Sequence, residues 1–184
     1  MTTWNIFTSK QKMAVELAFD ALSTMDGITD RRDTFKGGIQ RIGFSDLYSF
    51  VTSSDSMMDE KLERALEQDG RLRGELDRLL ERTAVYRFPK LAAASSGKAD
   101  HRGGEGVLIR LKQSRAEQTQ TYVIIELAPD FPEAPKILFL RSAPDRYIKH
   151  PLPEAHDGVI QVLAEEDSDL VRALRKVDTE VSLH

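Results

Sequence analysis

The sequence predicts an α+β fold, with an N-terminal helical bundle followed by a C-terminal antiparallel β-sandwich-like domain. Three observations predict it. All seven prolines (Pro89, Pro129, Pro132, Pro135, Pro144, Pro151, Pro153) fall after residue 88, and proline is excluded from helix interiors but at home in turns and at strand edges. The proline-free part carries apolar residues at helical spacing, and the proline-punctuated part carries short β-branched runs. Helices followed by strands, rather than alternating with them, give α+β or two separate units. The chain has 184 residues, 40% hydrophobic and 30% charged. That is enough for a core and a solvated surface in one ordinary domain or two small ones. The predicted division is a helical region over 1–85, a connecting segment over 86–106 with room for a first strand, and a β-rich region over 107–184 with one short helix.

Taken in order, Thr8-x-x-Gln11 has the form of a capping box. Met13, Leu17 and Ala21 follow it at intervals of four, so a helix is expected over about 9–25, ended by Gly27. A second, over 30–42, is weakened by Gly37-Gly38. Ser45 can cap a short helix carrying Leu47, Tyr48, Phe50 and Val51. Ser56 and Asp59 open another with Met58, Leu62, Ala65 and Leu66 on one face. Asp69-Gly70 breaks it, and a last helix over about 71–85 bears Leu72, Leu76, Leu79 and Leu80. So short a break predicts a helical hairpin. The stretch 92–106, AAASSGKADHRGGEG, is small and polar and reads as a flexible connection. Strands are expected at 88–93, 107–112, 121–127, 136–140, 158–163 and 179–183, with a helix at 168–176.

Composition excludes several chemistries. There is no Cys, hence no disulfide, thiolate nucleophile, Cys-type zinc site or iron–sulfur cluster. The longest apolar run, 122–127, is too short to span a bilayer and contains a Glu. The opening MTTWNIFTSK has neither a basic n-region nor an apolar h-region, so a cytoplasmic location is expected. The net charge of -4 argues against a nucleic-acid partner. Arg71, Arg73, Arg78, Arg82 and Arg87 are interleaved with Glu75, Asp77 and Glu81, as on a mixed solvated helix face.

Catalytic patterns are sparse. His150 and His156 flank a segment that also holds Glu154 and Asp157, the nearest approach to a metal or acid–base cluster, but Pro151 and Pro153 make it a rigid turn. A small hydrolase or metal enzyme built on His150, His156 and Asp157 is the catalytic alternative. No G-x-S-x-G and no phosphate-binding glycine loop occurs. The acidic run Glu165, Glu166, Asp167, Asp169 suits the start of a helix, where negative charge is favourable. No cofactor is expected.

Two stretches resemble known families. Residues 44–80 resemble the helical domain of bacterial anti-sigma factors through Ala65, Leu66, Asp69, Leu72, Arg73, Glu75, Leu76 and Leu79. The zinc-ligand motif of the zinc-binding branch is missing, so the resemblance implies a zinc-free member whose apolar helix faces clamp a helix of a sigma factor. Residues 122–163 look like the central sheet of ubiquitin-conjugating enzymes, through Pro129, Phe131, Pro132 and Pro135, then Ile137 to Leu140, then His150-Pro151, then Gly158 and Ile160. Gln161 stands where that family has its catalytic Cys, and Leu152 where it has Asn. This resemblance therefore implies an inactive binding module; a plain β-sandwich with Pro-marked turns explains the same residues.

The expected function is that of a non-catalytic regulatory or adaptor protein. Its partner is another protein, a sigma factor being one candidate and a second copy of the chain another. The residues expected to carry binding are Trp4, Phe7, Leu47, Phe50, Met58, Leu62, Leu66, Leu72 and Leu76. Most of the leucines, and Phe50, suit the bundle's own core better than a partner. Trp4 and Phe7, at an otherwise polar end, suit exposed anchors.

Overall fold

In the computed structural model, residues 42–56, 58–88, 99–131, 133–142 and 146–184 are described. The chain is α+β. Three helices, α1 (Phe44–Thr52), α2 (Glu60–Gln68) and α3 (Gly70–Thr83), precede two four-stranded antiparallel sheets packed in sandwich fashion. The strands are β1 (Tyr86–Arg87), β2 (His101–Gly104), β3 (Val107–Gln113), β4 (Gln120–Leu127), β5 (Ile137–Ser142), β6 (Arg146–Pro151), β7 (Val159–Glu165) and β8 (Glu180–Leu183), with α4 (Asp169–Arg175) between the last two. One sheet runs β1-β8-β5-β6 and the other β2-β3-β4-β7. The helices expected over 9–25 and 30–42, and with them Trp4 and Phe7, lie outside the described residues apart from Ile42.

The helix ends follow local chemistry. Gly43 precedes α1, and its N–H donates to Asp46 Oδ2 at 2.8 Å. Asp59 caps α2, accepting from the Leu62 N–H at 2.7 Å. Asp69 ends α2 and caps α3, accepting from Arg71 and Leu72 at 2.8 and 3.2 Å. A one-residue link is shorter than the roughly 2–5-residue loop of a helical hairpin. The expected hairpin is thus a corner, and Arg73 Nη1 reaches back across it to the carbonyls of Leu66 and Glu67 at 3.0 and 3.1 Å.

The strands alternate between two cores. Val107 and Ile109 of β3, Val123 and Ile125 of β4 and Ile160 and Val162 of β7 face Leu138 and Leu140 of β5 and Val181 and Leu183 of β8 across the sandwich. Leu170, Val171, Ala173 and Leu174 of α4 belong to the same core. The next residues on β5 point the other way. Ile137 and Phe139, with Tyr147 of β6, pack against Leu47, Phe50, Val51, Leu62, Leu66, Leu72, Leu76, Leu79 and Leu80. The helices therefore cover the outer face of one sheet.

Two strands fall where the sequence predicts none. His101–Gly104, inside the expected flexible connection, pairs with β3 from His101↔Arg110 to Gly104↔Val107. Its inward side chain is Arg102, which is buried and donates to the carbonyls of Leu174 and Thr179, each at 3.0 Å, and of Lys176. Arg146–Pro151, which runs into the turn expected between His150 and His156, is β6, paired with β5 from Ile137↔Pro151 to Ser142↔Arg146. Its buried Lys149 donates to the carbonyls of Phe50, Ser53 (2.6 Å) and Ser56, where α1 ends. Of the expected strand at 88–93 only Phe88 lies among the described residues; it follows β1 at Tyr86–Arg87, and its N–H donates to the Val181 carbonyl at 2.9 Å.

Lys149 ties α1 to the sheet, so Lys149→Met leaves three helix-end carbonyls without their donor. We expect a loss of about 2 kcal/mol, read as a lower urea midpoint at unchanged slope. An unchanged midpoint would show that water replaces the ammonium there.

Candidate functional site

Of the residues expected to bind a partner, Leu47, Phe50, Leu62, Leu66, Leu72 and Leu76 are all buried between the helices and β5–β6, and Met58 packs at the edge of the same cluster. The helical spacing seen in the sequence is thus spent on covering a sheet. For these side chains to meet another protein, the helices would have to leave β5.

The catalytic alternative disperses into structural parts. His150 sits in β6, half-buried, and burial lowers its pKa. His156 and Asp157 lie in a tight turn: His156 and Val159 exchange two backbone bonds of 2.9 Å, and Asp157 and Gly158 have φ of 51° and 75°. Two positive φ values in succession make a type I′ hairpin turn, for which Asp-Gly is a favoured pair. A Cβ at Gly158 would lie 3.0 Å from the Leu127 carbonyl, so glycine is required twice over. Among the described residues no three His, Asp or Glu side chains gather as metal ligands.

A cleft of about 280 Å³ lies between α3 and strands β1, β8 and β5. Leu80, Phe88, Phe139 and Val181 supply its apolar lining, and Asp77, Glu81, Arg87, Arg141 and Glu180 its charge. Three carboxylates stand against two guanidiniums, and each is paired. Arg141 lies 3.0 Å from Asp77 and 3.5 Å from Glu180, and Arg87 lies 3.0 Å from Glu81. Tyr147 donates to Asp77 at 2.8 Å. Its ions are already paired, with one carboxylate in excess because Arg141 serves both Asp77 and Glu180.

Beside it stands an arrangement the sequence did not reveal. The His184 ring is held between hydroxyls, with Thr83 Oγ1 3.0 Å from Nδ1 and Ser182 Oγ 2.9 Å from Nε2. Thr83 already donates to the Leu79 carbonyl at 2.9 Å. Nδ1 therefore carries the proton, and Ser182 donates to Nε2. The ring also meets Phe139 edge-on, centroids 4.9 Å apart. Burial, then the nearby Arg87 and Lys149, holds its pKa down to about 4. Ser182 and His184 have the spacing of a nucleophile and its base. A base so weak, oriented by a hydroxyl where a carboxylate would be needed, takes up few protons at neutral pH. The arrangement is suited to fastening α3 to β8. Only its i, i+2 spacing on one strand face was visible in advance.

The outer face of the β2-β3-β4-β7 sheet is different. Leu108, Tyr122, Ile124, Val159 and Leu163 point outward, and Tyr122 and Leu163, 36% and 50% exposed, are direct cross-strand partners. Helices α1–α3 cluster with the other sheet and with no residue of this one. Arg110 and Glu126, opposed across β3 and β4 but offset, form an ion pair on the same face. Of the two stretches compared with conjugating enzymes, Tyr122–Leu127 belongs to this sheet and Ile137–Leu140 to the other, and Gln161 is an exposed residue of β7. No helix among the described residues is long and apolar enough to cross a membrane.

Comparison with protein-family models, curated proteins and solved structures finds no match.

The His184 arrangement sets a pH dependence. Its folded pKa of about 4 lies below the unfolded value of about 6.5. Above the unfolded value the ring is neutral in both states and its full contribution is present. As pH falls from there through the folded value, the unfolded chain takes up the proton first and stability is lost, by at most about 3 kcal/mol. Burial of His150 acts in the same direction. The test is therefore the difference between wild type and His184→Gln in urea unfolding at pH 7 and pH 4.5. The variant should lose distinctly less stability on acidification; equal losses would remove His184 from the account.

Proposed function

We propose that this protein is a non-catalytic regulatory or adaptor protein that binds another protein through the outer face of its β2-β3-β4-β7 sheet. The observation that carries this reading is the unequal cover of the two sheets. One has its outer face closed by three helices, whereas the other presents Leu108, Tyr122, Ile124, Val159 and Leu163. Of these, Tyr122 and Leu163 are cross-strand neighbours with Ile124 next along β4, and exposed apolar groups of this kind mark contact sites for other macromolecules. The flanking charge is mixed, Arg110 and Lys112 against Glu126 and Glu165, which suits a protein surface better than a phosphate backbone.

That the partner is a sigma factor rests on the resemblance over residues 44–80. Because Leu66, Leu72 and Leu76 are packed against β5 and β6, this reading places the partner on the open sheet rather than between the helices.

The test is affinity capture by the immobilised full chain. Proteins retained by wild type should be lost at least tenfold on Tyr122→Glu and on Leu108→Glu, and kept by Glu67→Lys on the exposed face of α2. Thermal midpoints of the variants establish that each is folded. A captured set unaffected by both sheet substitutions would overturn the reading.

A further inference from the structure

The register of β7 leaves a short, bounded and symmetric edge. β4 and β7 pair without a bulge from Gln120↔Glu165 to Glu126↔Val159. The same register continues beyond both ends, where the Leu127 N–H donates to Gly158 and the Glu166 N–H to Thr119, each at 2.7 Å. Even-numbered residues of β7 therefore exchange bonds with β4, and the odd-numbered ones turn their N–H and C=O to the outer edge. Val159 is fully used, and Glu165 by its carbonyl alone. Val159 exchanges bonds with His156, and the Glu165 carbonyl accepts from the Ser168 N–H at 3.0 Å. Between them, Gln161 and Leu163 each keep a backbone N–H and C=O with no partner among the described residues.

An unpaired edge is a template for another strand unless it is guarded by Lys, Pro or a bulge. β7, VIQVLAE, has none of these. The geometry points to a second copy of this chain as its occupant, β7 pairing antiparallel with β7 about a two-fold axis through Val162. In that register Gln161 of each molecule faces Leu163 of the other, and the N–H and C=O of both residues are satisfied in each copy. Sliding the register sets a free residue against Val159, closed by His156, or against Glu165, whose carbonyl Ser168 already takes. Charge agrees: Glu165 comes opposite Val159 of the second copy, so no like charges meet directly. The exposed Leu163 is covered, and the outer apolar row Tyr122–Leu163 continues into Gln161–Ile124 of the second molecule. The contact is short and belongs with weak, concentration-dependent interfaces. It uses the backbone edge and not the sheet's face, so it does not depend on the partner reading, and Tyr122→Glu should leave it intact.

Sedimentation of the full chain from about 1 µM to 1 mM, the range of weak association, should show mass rising from 20.8 kDa toward twice that value. Leu163→Pro should stay monomeric throughout, because its N–H faces the free edge and no bond to β4 is lost. A second variant decides the matter if that one fails to fold. Val162→Cys introduces the chain's only thiol beside its own copy, at the roughly 4.5 Å Cα spacing of a non-hydrogen-bonded pair. That is within disulfide reach, and oxidised glutathione should yield a covalent dimer on a non-reducing gel. A wild type monomeric at every concentration, a Leu163→Pro variant that folds and still dimerises, or a Val162→Cys variant that stays uncrosslinked would each overturn the proposal.

Discussion

Strand β5 is apolar on both faces, and the rest of the architecture answers to that. In Ile137-Leu138-Phe139-Leu140 every side chain is buried, although successive residues of a strand point to opposite sides. Leu138 and Leu140 require the second sheet, while Ile137 and Phe139 require a cover on the first sheet's outer face. Helices α1–α3 are that cover. Phe50 meets Phe139 edge-to-face with centroids 5.6 Å apart, a favourable geometry for an aromatic pair. Removing the helices would expose a central strand, not a dispensable rim. The helical and β-rich parts thus share a core, and the amphipathic faces that suggest partner clamping are already occupied within the chain.

A second rule recurs at the helix ends. The last carbonyls of a helix have no partner inside it and carry partial negative charge. In three helices here a cation from elsewhere takes them: Lys149 of β6 at α1, Arg73 of α3 at α2, and Arg102 of β2 at α4. Lys149 and Arg102 are buried, and neither has a carboxylate within ion-pair distance among the described residues. Burial lowers the pKa of Lys149 to about 8, only partly opposed by Asp55. Its ammonium also stands 4.9 Å from the Phe50 ring centroid and 5.8 Å from that of Phe139. Backbone dipoles and ring faces replace a counter-ion, and the direction of those dipoles fixes where each helix can end relative to its strand.

These cations also explain what the sequence could and could not show. Strands β3, β4, β5, β7 and β8 were legible because their inward positions are β-branched or aliphatic, as in Val107, Ile109, Val123, Ile125, Ile160 and Val181. β6 was hidden because its inward residue beside Tyr147 is Lys149, which reads as surface in any hydrophobic pattern. β2 was hidden because its inward residues are Arg102 and Gly104. Tyr86 occupies the space a Gly104 side chain would need, so no apolar side chain could have marked that position. The three described helices were legible as elements, with Asp59 opening one and Asp69-Gly70 ending it, whereas the cap expected at Ser45 falls instead at Gly43. Which face they bury against was not, because a stripe of leucines has the same spacing whether it meets a sheet of its own chain or another protein. The Ser182–His184–Thr83 contact joins residues about a hundred positions apart and leaves no local trace.

The same asymmetry locates what is left for function. A sheet whose two faces are both covered has only edges to offer, and in β1-β8-β5-β6 the edges are the two-residue β1 and a β6 whose Lys149 is tied inward. The β2-β3-β4-β7 sheet has one face in the sandwich core and one that no helix among α1–α3 meets. Its edge β7 is long, unbroken by proline and held at both ends by turns that keep its register. Tyr122 and Leu163 project from this sheet at a position where a strand facing water would ordinarily be polar. The large apolar side chains left exposed among the described residues thus sit side by side on the one sheet face that α1–α3 leave open.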